Sequence, residues 1–141
     1  MKNHRLLIVS MIALAVVGFF VAFYLTVEHY LGQVPACSFL SGCEVVTTSA
    51  YATIFGVPIS LFGAGYFLMI ASLLLAYLQQ GNKKFFLASG ALISVGAALA
   101  AALIYVQVGI LGAVCIYCVS SDSISLFLLL LFIGARKTAQ K

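Results

Sequence analysis

Four stretches of the chain are apolar over lengths that match a membrane crossing. Each holds at most one charged residue, and a helix that rises 1.5 Å per residue needs about 20 such residues to cross a hydrocarbon core of about 30 Å. The pattern therefore predicts an all-α integral membrane protein, a bundle of four transmembrane helices in a single domain spanning residues 1–141. The helices are expected at about residues 6–27, 57–78, 85–108 and 114–135.

The first stretch is expected to be a permanent anchor. Lys2 and Arg5 precede it as they would precede a signal peptide, but its apolar run exceeds the roughly 7–15 residues of a signal h-region. The segment between Cys43 and Pro58 has a different character. It is too polar to span the membrane and too apolar for a free loop, which predicts an interfacial half-helix that caps the bundle.

Composition and charge agree with a membrane protein and give it an orientation. The chain is 65% hydrophobic and 7% charged, with a mean hydropathy of +1.22, far from the balance of soluble domains. All cationic side chains fall on one side of the predicted topology: Lys2, Arg5, Lys83, Lys84, Arg136, Lys137 and Lys141. Because short cytoplasmic loops are enriched in Lys and Arg, we expect a multi-pass protein of the plasma (inner) membrane with both termini cytoplasmic. The net charge of +4 then reflects orientation and not nucleic-acid binding.

With that topology the four cysteines share the outer face, where disulfides persist. Cys37 and Cys43 lie in the first loop, and Cys115 and Cys118 form a Cys-x-x-Cys at the outer end of the fourth helix. Such a small ring adds little stability to a bundle and is common in redox-active dithiols, whose first thiol is acidified at a helix N-terminus. Redox exchange is the favoured interpretation. The alternatives are a non-catalytic membrane scaffold with static disulfides and a metal site formed by all four cysteines, although the spacing suits zinc poorly.

Three motifs resemble those of a known family. They are CSFLSGCEVVTTS at 37–49, YATIFGVP at 51–58 and CIYC at 115–118. In spacing and helix order, over nearly the whole chain, they resemble the vitamin K epoxide reductase (VKOR) family in its bacterial or archaeal type. Many bacterial members carry a fused thioredoxin-like domain, whereas this chain is expected to have none.

The resemblance implies a quinone-linked thiol oxidase that generates disulfides in a separate, extracytoplasmic thioredoxin-like protein. Electrons would pass from the loop pair, Cys37 and Cys43, to Cys115 and Cys118 and then to a membrane quinone. In the family pattern Cys118 faces the quinone, while Cys115 exchanges with a loop cysteine. Spacing leaves open which loop cysteine that is.

Four further residues are candidate quinone contacts or proton donors. The resemblance suggests that Ser49 hydrogen-bonds the cysteine loop, while Phe55 and Phe62 are expected near the acceptor pocket. Asp122 follows Cys118 by four residues, so the two share a helix face, at a depth where an ionised carboxylate is costly. We expect Asp122 to hydrogen-bond the quinone and supply a proton, or else to be a hydrated or hydrogen-bonded structural carboxyl. Animal members have a tyrosine at this position.

Overall fold

Four long helices dominate the protein, which a computed structural model describes at residues 2–37 and 42–140. They are α1 (Lys2–Tyr30), α3 (Ile59–Gln80), α4 (Lys83–Tyr105, continued by a π-helical stretch Val106–Leu111) and α5 (Ile116–Ala139). Each is long and apolar enough to cross a membrane. The predicted all-α bundle of four transmembrane helices is confirmed.

The helix ends differ by a few residues from the sequence-based expectation. Helix α1 continues to Tyr30, whereas the fourth long helix begins at Ile116 rather than at 114. The reason at α5 is local, because Gly112 adopts a left-handed conformation with φ +60° and ends the preceding helix. Cys115 is consequently the N-cap of α5 and stands in extended conformation.

Helix α1 packs against α3 and α5, and α4 packs against the same two helices. The core between them is apolar and includes Met11, Phe67, Ile93 and Leu128. Small residues make room for large side chains of neighbouring helices. A Cβ at Gly18, for example, would lie 2.7 Å from the Phe67 ring. Close approach through small residues is the usual means of association between helices in lipid, where apolar surface alone gives no preference.

At one end of the bundle α1, α3 and α5 are tied together by a single side chain. The His4 Nδ1 lies 3.1 Å from the Ala135 carbonyl oxygen, and its Nε2 lies 3.0 Å from the Tyr77 hydroxyl. Because a carbonyl only accepts, Nδ1 carries the proton and Nε2 accepts from Tyr77. Phe86 packs on both rings. We call this the closed end; the Lys and Arg side chains of the described residues lie at the helix termini of this end.

The opposite end is covered by the segment between α1 and α3, which forms the expected cap. It consists of the short helix α2 (Gly42–Thr47), a 3₁₀ turn (Ala50–Ala52) and a hairpin of two-residue strands, β1 (Thr53–Ile54) and β2 (Val57–Pro58). The helical part is therefore shorter than a half-helix reaching Pro58. Phe55 and Gly56 both have positive φ, 51° and 80°, as a two-residue hairpin turn of this kind requires.

Candidate functional site

The Cys115–Cys118 pair is a dithiol at the start of α5. The Cys118 thiol donates to Cys115 Sγ at 2.7 Å, and the Cys118 backbone N–H donates to the same sulfur at 3.3 Å. These two contacts place the Cys115 sulfur over the unsatisfied N–H groups of the helix N-terminus. Cys115 itself is fully buried.

This arrangement favours the thiolate of Cys115. The hydrogen bond from the Cys118 thiol, helped by backbone N–H groups of Cys118 and Tyr117, lowers the pKa of Cys115 to about 7 although burial opposes the shift. A thiolate is the nucleophile of thiol–disulfide exchange. Cys115 is therefore the more reactive sulfur of the pair.

The loop cysteines are joined to each other. Cys37 and Cys43 form a disulfide with a Cα–Cα distance of 6.2 Å; Cys43 is buried at 1% exposure, while Cys37 is partly exposed. The chain just before Cys37 is held against α5, because the Tyr117 hydroxyl donates to the Ala36 carbonyl oxygen at 3.2 Å. The more accessible sulfur of the disulfide is thus that of Cys37.

The two cysteine pairs meet through the residues that precede them. A Cβ built on Gly42 would lie 2.6 Å from both the backbone N and the O of Val114, so this approach of two backbones needs glycine at 42. Gly42 precedes Cys43 and Val114 precedes Cys115. The contact therefore brings Cys43, the buried cysteine of the loop pair, and Cys115 to the same region of the fold.

A cavity of about 250 Å³ opens beneath the cap between the helices. Its lining is largely apolar, with a polar edge formed on α5 by Cys118, Ser121, Asp122 and Ser125. Phe62 and Leu99 also line it, and they are 56% and 60% exposed on the outside of the bundle. The cavity therefore extends from Cys118 to exposed apolar side chains on the outer surface of the bundle.

A model of the vitamin K epoxide reductase family matches residues 9–133 of this chain. The chain belongs to the vitamin K epoxide reductase family. This membership makes the protein a multi-pass membrane oxidoreductase of the class that links thiol–disulfide chemistry to quinones. A comparison with curated protein sequences finds no significant match.

The cavity has the properties that a quinone head group requires. Its volume lies slightly below the roughly 300–1,000 Å³ of drug-sized sites, and the exposed apolar side chains of Phe62 and Leu99 line it. Ser121, Asp122 and Ser125 form the polar part of its lining. The Tyr66 hydroxyl also lines the cavity, and in residues 2–37 and 42–140 it is the buried side-chain oxygen without a hydrogen-bond partner.

The candidate metal ligands of the described residues are not grouped as a metal site would require. Among the described residues no three or more His, Cys, Asp or Glu side chains are grouped as metal ligands. The sulfurs of Cys37 and Cys43 are bonded to each other, and His29 lines the cavity from α1.

Three of the four predicted quinone contacts line the cavity, and the fourth does not. Ser49, Phe62 and Asp122 all line the cavity. The Ser49 hydroxyl donates to the Val46 carbonyl oxygen at 2.8 Å, within the cap that follows the cysteine loop. Phe55 lies apart from this group, because it forms the hairpin turn, where its side chain is fully exposed and does not line the cavity.

One buried residue at the site was not anticipated from the sequence. Gln107 is 3% exposed and lies in the π-helical stretch that extends α4. Its side chain reaches both the Cys115 backbone and the Asp122 carboxyl. The only sequence signal was a single amide in an otherwise apolar run of residues 99–111, since intramembrane polar residues are often functional.

Proposed function

We propose that the protein is a quinone-linked thiol oxidase of the plasma membrane that generates disulfides in a separate thioredoxin-like protein. The observation that carries this proposal is the Gly42–Val114 contact, which places an oxidised loop pair beside a reduced Cys-x-x-Cys whose second thiol lines an apolar cavity. The net reaction converts two partner thiols and one quinone into one disulfide and one quinol. Two electrons and two protons are transferred.

The partner meets the loop disulfide first. A partner thiolate attacks the accessible Cys37 sulfur, forming a mixed disulfide and releasing Cys43 as a thiolate. The second partner thiol then displaces Cys37, so the partner leaves oxidised and both loop cysteines are reduced. Burial of Cys43 at 1% exposure supports this division of roles between the two loop sulfurs.

The loop is reoxidised by the Cys-x-x-Cys in its disulfide form. The Cys43 thiolate attacks Cys115, its neighbour across the Gly42–Val114 contact, and Cys118 leaves toward the cavity. Cys37 then attacks Cys43, which restores the loop disulfide and releases Cys115. In this cycle a loop disulfide together with a Cys115–Cys118 dithiol is the state that precedes electron transfer to the quinone.

A quinone bound in the cavity would accept the two electrons that are released when Cys115 and Cys118 form a disulfide. We propose that Cys118 faces the acceptor from the cavity wall and that Asp122 would hydrogen-bond an acceptor carbonyl. Of the two protons that the thiols lose, one would reach the acceptor through Asp122. Asp122 is 8% exposed and lies on the cavity side of α5 with Cys118. Asp122→Asn should slow quinone reduction while exchange between the loop and the partner continues.

The distribution of charges supports the proposed orientation in the membrane. In residues 2–37 and 42–140 the Lys and Arg side chains lie at the helix termini opposite the cysteine-bearing cap, and cations favour the cytoplasmic side. After reduction, a thiol reagent that cannot cross membranes should label Cys37 from outside in intact cells. Labelling from the cytoplasmic side alone would reverse the topology and remove the role in disulfide formation.

The decisive experiment is to trap the internal exchange. In a Cys118→Ala variant the Cys43–Cys115 disulfide has no resolving thiol on α5 and should accumulate, with Cys37 free for alkylation. Mass spectrometry of digested membranes identifies the linked peptides, and a Cys118→Ala/Cys43→Ser variant is the control. If neither quinone nor a reduced thioredoxin-like protein changes the cysteine state of the wild type, the chain is a scaffold with static bridges.

A further inference from the structure

Gln107 hydrogen-bonds to the backbone of the segment that leads into α5. Its carbonyl oxygen accepts from the N–H groups of Gly112 and, at 3.1 Å, Ala113. Its side-chain Oε1 accepts from the Cys115 N–H, also at 3.1 Å. Gln107 therefore accepts hydrogen bonds from three backbone N–H groups between α4 and α5. The bond from Cys115 holds the backbone of that residue in place.

The orientation of the Gln107 amide is determined by this contact. The Cys115 N–H can only donate, so Oε1 must face it, and the amide NH₂ must point the other way. There Nε2 lies 3.4 Å from Asp122 Oδ2. In the described part of the chain, Gln107 is the one side chain that hydrogen-bonds the Asp122 carboxyl.

We propose that Gln107 is a positioning residue that couples the nucleophilic cysteine to the carboxyl of the acceptor site. By holding Oδ2 it directs Oδ1, the other oxygen of Asp122, to the cavity beside Cys118. The inference rests on the proposed function, to which it adds the element that sets the geometry of Asp122. No residue of α5 itself performs this task, although Ser121 and Ser125 flank the carboxyl.

Two physical features support a role beyond packing. A buried amide is retained at a cost unless both of its ends are hydrogen-bonded, and here both ends bond to the redox site. The π-helical stretch is the second feature. An α-helix that takes a π-helical turn does so frequently at functional sites, and this turn carries Gln107 next to Cys115.

The test compares two substitutions. Gln107→Leu removes both side-chain contacts, whereas Gln107→Glu keeps an acceptor for the Cys115 N–H and replaces the donor that faces Asp122. Gln80→Leu, at an exposed position at the other end of the bundle, is the matched control. Each purified variant is assayed with a short-chain quinone and a small dithiol, and the infrared carboxyl band of Asp122 is identified by its loss in Asp122→Asn.

We expect both Gln107 variants to lower kcat for quinone reduction by about 10- to 100-fold, as misplacement of a reacting group does, with a smaller change in KM. In the Asp122→Asn background the same substitutions should have little further effect, because residues that act as a unit are not additive. The Asp122 infrared band should shift in both variants and stay unchanged in Gln80→Leu.

The inference is overturned if Gln107→Glu keeps the wild-type kcat, if the Gln107 and Asp122 effects multiply, or if the Asp122 band does not move. The infrared measurement needs no turnover. A wild-type protein that fails to reduce quinone would therefore refute the proposed function, while the band would still decide whether Gln107 holds Asp122.

Discussion

The two ends of the bundle are built in opposite ways. At the closed end the His4 ring uses both nitrogens to connect three helices, and aromatic rings fill the space around it. At the cysteine end side chains of all four long helices line a cavity of about 250 Å³. In the part of the chain that the structure describes, the closed end is thus packed without such a cavity, whereas the cysteine end combines an internal hydrogen-bond network around Gln107 with open space.

Backbone conformation follows the same division. The closed end has regular helix termini such as Asn82, whose side chain accepts from the Lys84 N–H. The cysteine end has a π-helical stretch, a left-handed non-glycine residue at Phe55 and the backbone approach at Gly42. Irregular conformations persist only where the surrounding structure holds them. We therefore expect the closed end to contribute mainly to stability and the cysteine end mainly to reactivity.

The sharpest test of this division is a single methyl group at Gly42. Gly42→Ala places a Cβ against Val114 and must separate the cap from the start of α5. We expect electron transfer from the loop pair to Cys115 to fall by more than about tenfold, because small displacements of reacting groups have large kinetic effects. Stopped-flow measurement of loop reoxidation with quinone gives the rate.

The control for Gly42 is at the closed end. Gly134→Ala adds the same methyl group on α5 where nothing lies within 4 Å, so exchange should proceed at the wild-type rate. Equal rates in Gly42→Ala and Gly134→Ala would show that the two cysteine pairs do not exchange across this contact.

His4→Ala should affect stability in place of chemistry. It leaves the Tyr77 hydroxyl without its acceptor and removes the second hydrogen bond of the Ala135 carbonyl oxygen in a partly buried site, which costs about 1–3 kcal/mol of unfolding free energy. Thermal unfolding in detergent should begin at a lower temperature, with kcat per folded molecule unchanged. Asn3→Ala, an exposed neighbour, is the control; a His4→Ala protein as stable as Asn3→Ala would contradict the assignment of the closed end.

At the cysteine end, pH should control the reactivity of Cys115. Its pKa of about 7 means that the thiol is protonated and slow below neutrality and a reactive thiolate above it. In a Cys37→Ser/Cys43→Ser background, ultraviolet absorbance of the thiolate should rise with a midpoint near pH 7. Cys118→Ala removes the main hydrogen bond, so the midpoint should move toward the ordinary value of about 8.5. An unmoved midpoint would assign the shift to the helix backbone alone.

The smallest effect is expected at the hairpin. Phe55 has φ +51°, which is unfavourable for a bulky side chain, and asparagine tolerates this conformation better. Phe55→Asn should therefore increase the unfolding free energy by up to about 1 kcal/mol and leave the quinone KM unchanged. Phe62→Ala, which alters the cavity wall, should raise that KM. A raised quinone KM in Phe55→Asn would instead indicate that Phe55 contacts the acceptor.

Much of the architecture could be predicted because lipid restricts it so strongly. Backbone groups in the hydrocarbon must all be hydrogen-bonded within the protein, which an apolar stretch of about 20 residues achieves by itself as a helix, so four such stretches indicate four helices. The hairpin around Phe55 was not foreseen, since FGVP gives no alternating strand pattern and its strands have only two residues each. The placement of Phe55 near a pocket relied on its aromatic character, which does not reveal the direction of a side chain in a turn.

By itself the sequence determined the helical bundle, the separation of cations from cysteines and the presence of two unlike cysteine pairs. These are local or compositional properties, which hydropathy and spacing record directly. The tertiary structure decided that Cys43 is the buried loop cysteine and that Gly42 before it contacts Val114 before Cys115. It also decided that Phe62 but not Phe55 lines the cavity and that Gln107 joins Cys115 to Asp122. Such relations connect residues on different elements, because they arise from how helices pack and where a glycine lets backbones touch, which no periodicity along one segment encodes.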